Sequence, residues 1–238
     1  MRIGLLGGTG NMGRGLAIRW AYKHEIFVGS RSLEKAKRIE KALSSLARGF
    51  YQAEMEGSIV GEVNADAIDH SEIIVVTLPP KATISALTQL SDHITEDHVV
   101  VSTVVPMTRR GKLFYFSSLE EEGVDSLGVG SAAEVVQEIV KPARVVSAFQ
   151  TVPAAYLYNI DAVLNVDVLI AGNDDLSLAL VSKLVRDIPN LRPLKVGPLE
   201  NSKWIESITP LLLNASVLNG LHEPTIRVIP WMPTIEPS

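Results

Sequence analysis

The stretch that decides the fold is MRIGLLGGTGNMGRGLAIRWAYKHEIFVGSRSLEK, residues 1–35. It begins as an apolar strand, turns through GGTGNMG (residues 7–13), continues as a helix and ends in a second strand at GSR (residues 29–31). The pattern G-x-G-x-x-G starts at Gly8, directly after the strand, and opens the helix. This context predicts a βαβ unit that binds a dinucleotide, and a glycine turn without a ligand is the plain alternative.

Each glycine of the turn has its own expected task. A side chain at Gly8 would strain the turn, and one at Gly10 would hold a pyrophosphate away from the backbone. Gly13 allows the helix to pack closely on the strand. The N–H groups of the first helical turn, at Asn11 and Met12, are aligned with the helix dipole and present a site for phosphate oxygens.

The end of the second strand indicates which dinucleotide binds. NAD-selective folds place an Asp or Glu there for the ribose hydroxyls, but this chain has Ser30 and Arg31. Arg31 offers a planar fork to a 2′-phosphate, and Lys35 follows one helical turn later. We therefore predict NADP as the dinucleotide, although Ser30 or Ser32 could simply cap the next helix and the cations could form a solvated face.

The composition limits the class of protein. The 238 residues are 46% hydrophobic, which is enough for one large domain, or for one domain with a small appendage. The sequence has no cysteine, which removes disulfides and thiolate chemistry and favours a cytoplasmic location. A net charge of −5 argues against nucleic-acid binding, and no apolar run approaches the roughly 18 residues of a membrane span.

After the opening unit, strand and helix patterns alternate along the chain. We predict strands at residues 58–60, 73–78, 99–102, 145–148, 166–171 and 194–197, and helices at 33–47, 66–68, 81–90, 131–140, 174–187 and 201–220. The alternation predicts an α/β fold, a Rossmann-type doubly wound and mainly parallel sheet with a small C-terminal α/β appendage. We place a dinucleotide-binding domain at residues 1–150 and a smaller part that closes the cleft at 151–238.

Ligands of such sheets lie beyond the carboxyl ends of the strands. Leu78 and Pro79 end the run at 73–78, and we expect them near the nicotinamide, unless they form only an ordinary turn. Val104 ends the next strand in the same way. Residues 107–130 are predicted to be a loop, either a functional lid or a variable insertion. The proline-containing end of the chain, after about residue 221, is predicted to be an extended tail.

The usual chemistry of a dehydrogenase is missing. Alcohol oxidation often uses a Tyr with a Lys four residues later, and no Tyr here has one. The helical Lys and Asn pair of 3-hydroxyacid dehydrogenases also fails, since Lys203 is followed by Ser207. The five histidines form no metal-binding pair, and no G-x-S-x-G elbow is present. Hydride transfer without an acid or base suits two redox cofactors that the protein only positions.

The sequence resembles the family of F420-dependent NADP reductases (F420H2:NADP+ oxidoreductases). The segments that carry the resemblance are LLGGTGNMG (5–13), VGSR (28–31), EK (34–35), SAAE (131–134), TVPAA (151–155), LRPL (191–194), GPL (197–199), ES (206–207) and TPL (209–211). They span nearly the whole chain. The pairing of GGTGN with GSR and the late GPL to TP segment make an accidental similarity improbable.

The resemblance implies hydride transfer between coenzyme F420 and NADP, with the two small molecules as substrates. It implies that Thr9, Ser30, Arg31 and Lys35 surround the 2′-phosphate, and that the turn from Gly10 to Met12 meets the pyrophosphate. It also implies that Ala154, after Pro153, meets the nicotinamide carboxamide. The deazaflavin would then lie against residues 201–210, with Asn201 and Ser207 as contacts.

One position departs from the expected family pattern. Gln150 stands where a His is expected before Thr-x-Pro, and an amide hydrogen-bonds but does not titrate. Two alternatives stay open from the sequence: an NADPH-dependent imine or flavin reductase, and a non-catalytic NADPH-sensing module. We also expect a homo-oligomer, a dimer, in which the tail could make a subunit contact.

Overall fold

A computed structural model describes residues 1–117 and 130–229, which contain ten strands, eight α-helices and three short 3-10 helices. The strands are β1 (Arg2–Leu6), β2 (Glu25–Ser30), β3 (Ser58–Val63), β4 (Ile73–Val76), β5 (Val99–Ser102), β6 (Met107–Arg110), β7 (Leu113–Phe116), β8 (Arg144–Ser147), β9 (Val166–Gly172) and β10 (Leu191–Lys195). The helices are α1 (Asn11–Trp20), α2 (Leu33–Tyr51), α3 (Asn64–Asp69), α4 (Pro80–Leu90), α5 (Ala132–Ile139), α6 (Ala154–Tyr158), α7 (Asp175–Arg186) and α8 (Ser202–Asn219). None of these helices is both long and apolar enough to cross a bilayer.

Eight strands form one sheet in the order β10-β9-β8-β5-β4-β1-β2-β3. All neighbouring pairs are parallel except β8 and β9. The chain moves outward from β1 to β3 and then returns to β4 on the other side of β1. This reversal is the switch point of a doubly wound fold, beside which ligands bind. The predicted Rossmann-type, mainly parallel architecture is confirmed.

The core lies in two layers, one on each face of the sheet. In β4, Ile73 and Val75 face the layer that contains apolar residues of α1, α2 and α7. Ile74 and Val76 face the opposite layer, which contains residues of α4 and α5. Successive side chains of a strand point to opposite faces, so a strand covered on both sides must be apolar throughout. This requirement explains the uninterrupted β-branched runs in the sequence.

The predicted C-terminal appendage extends the same sheet. Strand β9 pairs with β8 through Val146 with Gly172 and Ser147 with Ala171, and β10 then pairs with β9. The sheet is therefore continuous across residue 150. The division of the chain into domains at 1–150 and 151–238 stays a prediction.

Apart from residues 107–130, the predicted strands and helices are found with bounds that differ by a few residues. Ser131 caps α5 as predicted, since its Oγ accepts a hydrogen bond from the Glu134 backbone N–H at 3.2 Å. Asp174 caps α7 in the same way through the N–H of Ser177 at 2.7 Å. The late strand begins at Leu191, three residues before the predicted start at 194.

The predicted loop at 107–130 is wrong for its first part. Residues 107–116 form an antiparallel hairpin, β6 and β7. The hairpin is held by α8, because the Asn214 side chain accepts from the backbone N–H of Phe114 and donates to its carbonyl, each at 2.7 Å. A partner one hundred residues away in the sequence supplies the contact that makes these residues a strand. Residues 118–129, which include the predicted acidic part of the loop, lie outside the described residues.

The C-terminal strap, defined here as residues 222–229, contains neither helix nor strand and runs along β9. The carbonyl of Ile226 accepts from the N–H of Asp167 at 3.1 Å, and the buried Asp167 carboxylate accepts from Val228 N at 2.6 Å. Arg192 donates two hydrogen bonds of 2.7 Å to the same carboxylate, which holds the pKa of Asp167 below its usual value. The rest of the predicted tail, residues 230–238, lies outside the described part of the chain.

Candidate functional site

The glycine turn has the geometry of a phosphate cradle. Gly7 adopts a left-handed conformation (φ 79°), and a Cβ on Gly13 would lie 2.5 Å from Gly8 Cα, so helix α1 could not approach the turn with any larger residue. No side chain caps α1 at Gly10. The N–H groups of its first turn are thus available to a ligand. A Cβ on Gly10 would meet only the Gly7 carbonyl oxygen, at 3.3 Å, so little of the protein crowds the space in front of the turn.

The end of β2 presents two free cations. Ser32 caps α2, with its Oγ accepting from the Lys35 N–H at 3.3 Å, and the Ser32 N–H donates to Ser30 Oγ at 3.2 Å. The side chains of Arg31 and Lys35 are exposed, and neither has a hydrogen bond or ion pair within residues 1–117 and 130–229. Capping of the helix therefore uses Ser32 and leaves both cations available for an anion. Thr9 is nearly buried in the glycine turn, where its carbonyl accepts from Arg14.

The end of β4 lies against the glycine turn. Thr77 donates to the Leu6 carbonyl from its backbone N–H at 3.0 Å and from its Oγ1 at 2.9 Å. A Cβ on Gly7 would lie 2.7 Å from a Leu78 methyl group, which shows how closely Leu78 covers the turn. Pro79 then begins the turn into α4. Leu78 is thus beside the glycine turn, and the expected place of Leu78 and Pro79 near the nicotinamide stays a prediction.

The side chain of Val104 points away from any open site. It is 3% exposed and packs in the core layer of α4 and α5, so that only its backbone is available at the end of β5. Thr103, just before it, donates from Oγ1 to the Val76 carbonyl at 2.9 Å and ties β5 to β4.

A buried polar cluster lies beyond β8. Gln150 donates from Nε2 to the Ser102 carbonyl at 2.8 Å and to Ser147 Oγ at 2.9 Å. Gln150 Oε1 and Ser102 Oγ are buried and have no hydrogen-bond partner among the described residues. Buried polar atoms without a partner are rare in proteins, and a water molecule or a ligand group is expected to satisfy these two. The serine hydroxyl can donate or accept, whereas the amide oxygen only accepts.

Gln150 and Pro153 line an open cavity of about 400 Å³ between the end of β8 and helix α8. Its other wall includes Thr209, whose Oγ1 donates to the Gln150 carbonyl at 2.8 Å. We call this the α8 cavity. Sequence reasoning missed Thr209 as a lining residue, although it lies two positions from Ser207 and directly before Pro210.

A second open cavity of about 720 Å³ lies between the start of α1 and helix α6, and we call it the α1 cavity. Its lining residues are Asn11, Arg14, Ala154, Ala155, Tyr158 and Glu223. Ala154 thereby shares a cavity with Asn11 at the start of α1, and its contact with the nicotinamide carboxamide stays a prediction. Arg14, Tyr158 and Glu223 were not predicted. The only sequence signal for Arg14 was its position one turn after Gly10 on the helix.

A buried arginine holds α6 against α1. Arg19 donates from Nε to the Leu157 carbonyl at 3.1 Å, and from Nη2 to three more carbonyls, at 2.7 Å to Asn159 and 3.0 Å to Tyr156 and Ala162. Burial lowers the pKa of Arg19 from its ordinary value. These bonds fix the segment that carries Ala154 opposite Asn11. A guanidinium is suited to this task because its donors lie in one rigid plane.

Two predicted contacts lie away from both cavities. Asn201 donates from Nδ2 to the Val196 carbonyl at 2.7 Å and closes the turn before α8. Ser207 donates from Oγ to the Trp204 carbonyl at 2.8 Å within α8. Neither residue lines the α8 or the α1 cavity. Their roles as cofactor contacts stay predictions.

Comparison with known proteins agrees with this geometry. Residues 2–106 match a family described as NADP oxidoreductase, coenzyme F420-dependent. The F420-dependent NADP reductase of Methanocaldococcus jannaschii is 35% identical over 91% of this chain and 93% of its own length. That of Methanothermobacter thermautotrophicus is 32% identical over 96% of this chain and 94% of its own.

Solved structures show the same fold. A protein of Arthrobacter sp. FB24 that carries a provisional description as an F420 dependent NADP-reductase has a TM-score of 0.73 and 19% identity, covering 97% of this chain and all of that one. A GDP-mannose dehydrogenase has a TM-score of 0.62 at 16% identity, over 91% of this chain and 51% of that one. These distant likenesses support the architecture, and the closer curated relatives support the family. The chain belongs to the family of F420-dependent NADP reductases.

Proposed function

We propose that the protein transfers a hydride directly between coenzyme F420 and NADP, reversibly. The observation that carries this proposal is identity of 32–35% with F420-dependent NADP reductases over more than nine tenths of the chain. The geometry agrees, because the α8 cavity and the α1 cavity share Glu223 in their walls and could each take one of the two ring systems.

The phosphate groups of the dinucleotide are bound by backbone N–H groups and by cationic side chains. The N–H groups of Asn11, Met12 and Gly13 receive the pyrophosphate, since no side chain caps the helix there. Arg31 and Lys35, free of protein partners in the described part of the chain, receive the 2′-phosphate. The absence of an acid at the end of β2 leaves this phosphate unopposed.

The rest of the chain positions the reacting rings. The hydride donor and acceptor carbons belong to the two substrates, and the protein must hold them about 3 to 3.5 Å apart with their faces aligned. Leu78 lies against the glycine turn, and Ala154 lines the α1 cavity beside Asn11. Gln150 lines the α8 cavity, and its hydrogen bonds to Ser102 and Ser147 fix the orientation of its amide.

The test is a direct hydride-transfer assay with purified protein. Reduced F420 and NADP+ are expected to yield oxidised F420, seen by its visible absorbance, and NADPH in equal amounts. Gly13→Ala is expected to abolish the reaction, because the new Cβ would lie 2.5 Å from Gly8 Cα, whereas Gly49→Ala, with no atom within 4 Å of the new methyl, serves as its control. Faster turnover with a free flavin or a cyclic imine, or NADPH binding without any hydride transfer, would refute the proposal.

We also propose a homodimer built on α8. The side chains of Trp204, Leu211 and Leu218 are 64%, 66% and 68% exposed and recur every seven residues. Such spacing puts them on one stripe of the helix, and a self-complementary twofold contact would cover it. A cytoplasmic location is part of the same proposal, on the ground that the sequence has no cysteine.

A further inference from the structure

Glu223 belongs to both cavities. It lines the α1 cavity beside Asn11 and Arg14, and it also lines the α8 cavity beside Gln150 and Thr209. No other acidic side chain of the described residues lines either of them. A ligand that reaches from the glycine turn to Gln150 therefore passes this carboxylate.

The backbone at Glu223 is held in place on both sides. It adopts a left-handed conformation (φ 46°), which a non-glycine residue keeps only when its surroundings impose it. Before it, the His222 carbonyl accepts from Tyr156 Oη at 3.2 Å. After it, Thr225 donates from Oγ1 to the Thr151 carbonyl at 2.8 Å, and Ile226 is bonded to Asp167. The strap therefore presents Glu223 from a fixed position, and no ion pair of Glu223 with the described residues neutralises it.

The proposed reaction changes the charge at one point of the dinucleotide. The nicotinamide ring is a cation in NADP+ and neutral in NADPH, whereas the pyrophosphate and the 2′-phosphate carry the same charges in both. A fixed carboxylate near the ring attracts the oxidised form and has no such effect on the reduced form. Its repulsion of the phosphates is common to both forms and cancels from the ratio of the two affinities.

We propose that Glu223 sets the preference of the site for NADP+ over NADPH. The inference rests on the proposed function for the place of the dinucleotide, but it concerns binding and needs no F420. Arg14, in the same cavity, has one donor engaged with the Thr9 carbonyl at 2.8 Å, and its charge opposes that of Glu223. Whether the site prefers NADP+ or NADPH thus depends on which of these two charges lies nearer the nicotinamide. The strap places Glu223 in the wall of both cavities, on the side toward Gln150.

The experiment measures dissociation constants of NADPH by fluorescence titration and of NADP+ by competition, without F420. Glu223→Gln is expected to weaken NADP+ about fivefold more than NADPH, and Glu223→Lys to change the ratio in the same direction by more. Glu223→Asp should restore most of the wild-type ratio because it keeps the charge. Glu54→Gln, which removes an exposed carboxylate that lines neither cavity, is the matched control.

The ratio of the NADP+ and NADPH dissociation constants separates an electrostatic effect from structural damage. Equal weakening of both forms, or an unchanged ratio in Glu223→Gln and Glu223→Lys, would overturn the inference. A wild-type protein that binds NADP(H) but exchanges no hydride with F420 would refute the proposed function and leave this test standing. Glu223 is exposed, so the substitutions remove no buried contact.

Discussion

Replacing Arg31 with Ala should separate the two dinucleotides. The Arg31 side chain is exposed and has no partner within residues 1–117 and 130–229, so its removal leaves the fold intact. What is lost is a charge-assisted hydrogen bond to the 2′-phosphate, about 2 kcal/mol, or a roughly 30-fold rise in the dissociation constant of NADP+. NAD+ lacks this phosphate, and its affinity should change less than about twofold.

The assay is titration of both dinucleotides against wild type, Arg31→Ala and Lys35→Ala at two salt concentrations. The Lys35 effect should be smaller, since its ammonium is a point charge without a planar fork, and both effects should shrink at high salt. Because the two cations would share one phosphate, the effect of the double variant should differ from the sum of the single effects. Lys41→Ala, another exposed cation of α2, is the matched control and should bind NADP+ normally.

Two results would refute this reasoning. Equal losses for NADP+ and NAD+ would mean that Arg31 acts on the shared part of the dinucleotide. Unchanged NADP+ affinity would mean that the 2′-phosphate lies elsewhere, and the absence of an acid at the end of β2 would then have no selective role.

Three further predictions concern stability and assembly. Arg19→Met should lower the free energy of unfolding by roughly 3 kcal/mol, because four carbonyls lose their donor; a urea titration showing less than about 1 kcal/mol would contradict this. Burial raises the pKa of Glu206 to about 8, although two N–H groups of α5 bind its carboxylate. Between pH 5 and 8 the folded protein keeps a proton on Glu206, whereas the unfolded chain, in which this pKa is ordinary, has released it. The free energy of unfolding of the wild type should therefore fall by up to about 1.4 kcal/mol for each unit by which the pH rises in this range. Urea titrations at several pH values give the free energy of unfolding, which should depend less on pH in Glu206→Gln than in the wild type. An equal dependence on pH in both proteins would disprove the raised pKa of Glu206. Leu211→Glu should convert the proposed dimer to a monomer in sedimentation, whereas Leu46→Glu, at an exposed leucine of α2, should not; an unchanged mass in Leu211→Glu would place the interface elsewhere.

The sequence predicts those parts of the fold that depend on residues close together in the chain. The run at β4 is apolar because both of its faces are covered, and a composition rule captures that. The hairpin at residues 107–116 follows no such rule. Its strands carry exposed Arg109 and Arg110, and the side chain of Asn214 in α8 supplies two of the hydrogen bonds that hold it. Long-range contacts of this kind override local propensity, so sequence pattern alone indicates a loop.

The same distinction applies to the site. The glycine turn and the cations after β2 come from one contiguous stretch, and their geometry follows from spacing. Thr209 and Glu223 reach the site only because α8 and the strap fold back over the end of β8. No local pattern marks Glu223, and Thr209 stands in the TPL segment of the resemblance without any sign there that it lines a cavity. Ser207 was predicted from its motif, yet two positions on a helix turn a side chain through about 200°, and it is Thr209 that lines the cavity.

Gln150 shows how the surroundings define the chemistry of one side chain. A backbone carbonyl only accepts, so the amide atom that faces the Ser102 carbonyl must be the nitrogen. That contact and the one to Ser147 fix the orientation of the amide and leave Oε1 as the group without a partner. A histidine in this place could exchange a proton with a ligand, but the amide oxygen can only accept a hydrogen bond. A ligand group that meets this oxygen must therefore be a donor, and Gln150 itself cannot take up a proton released in the reaction.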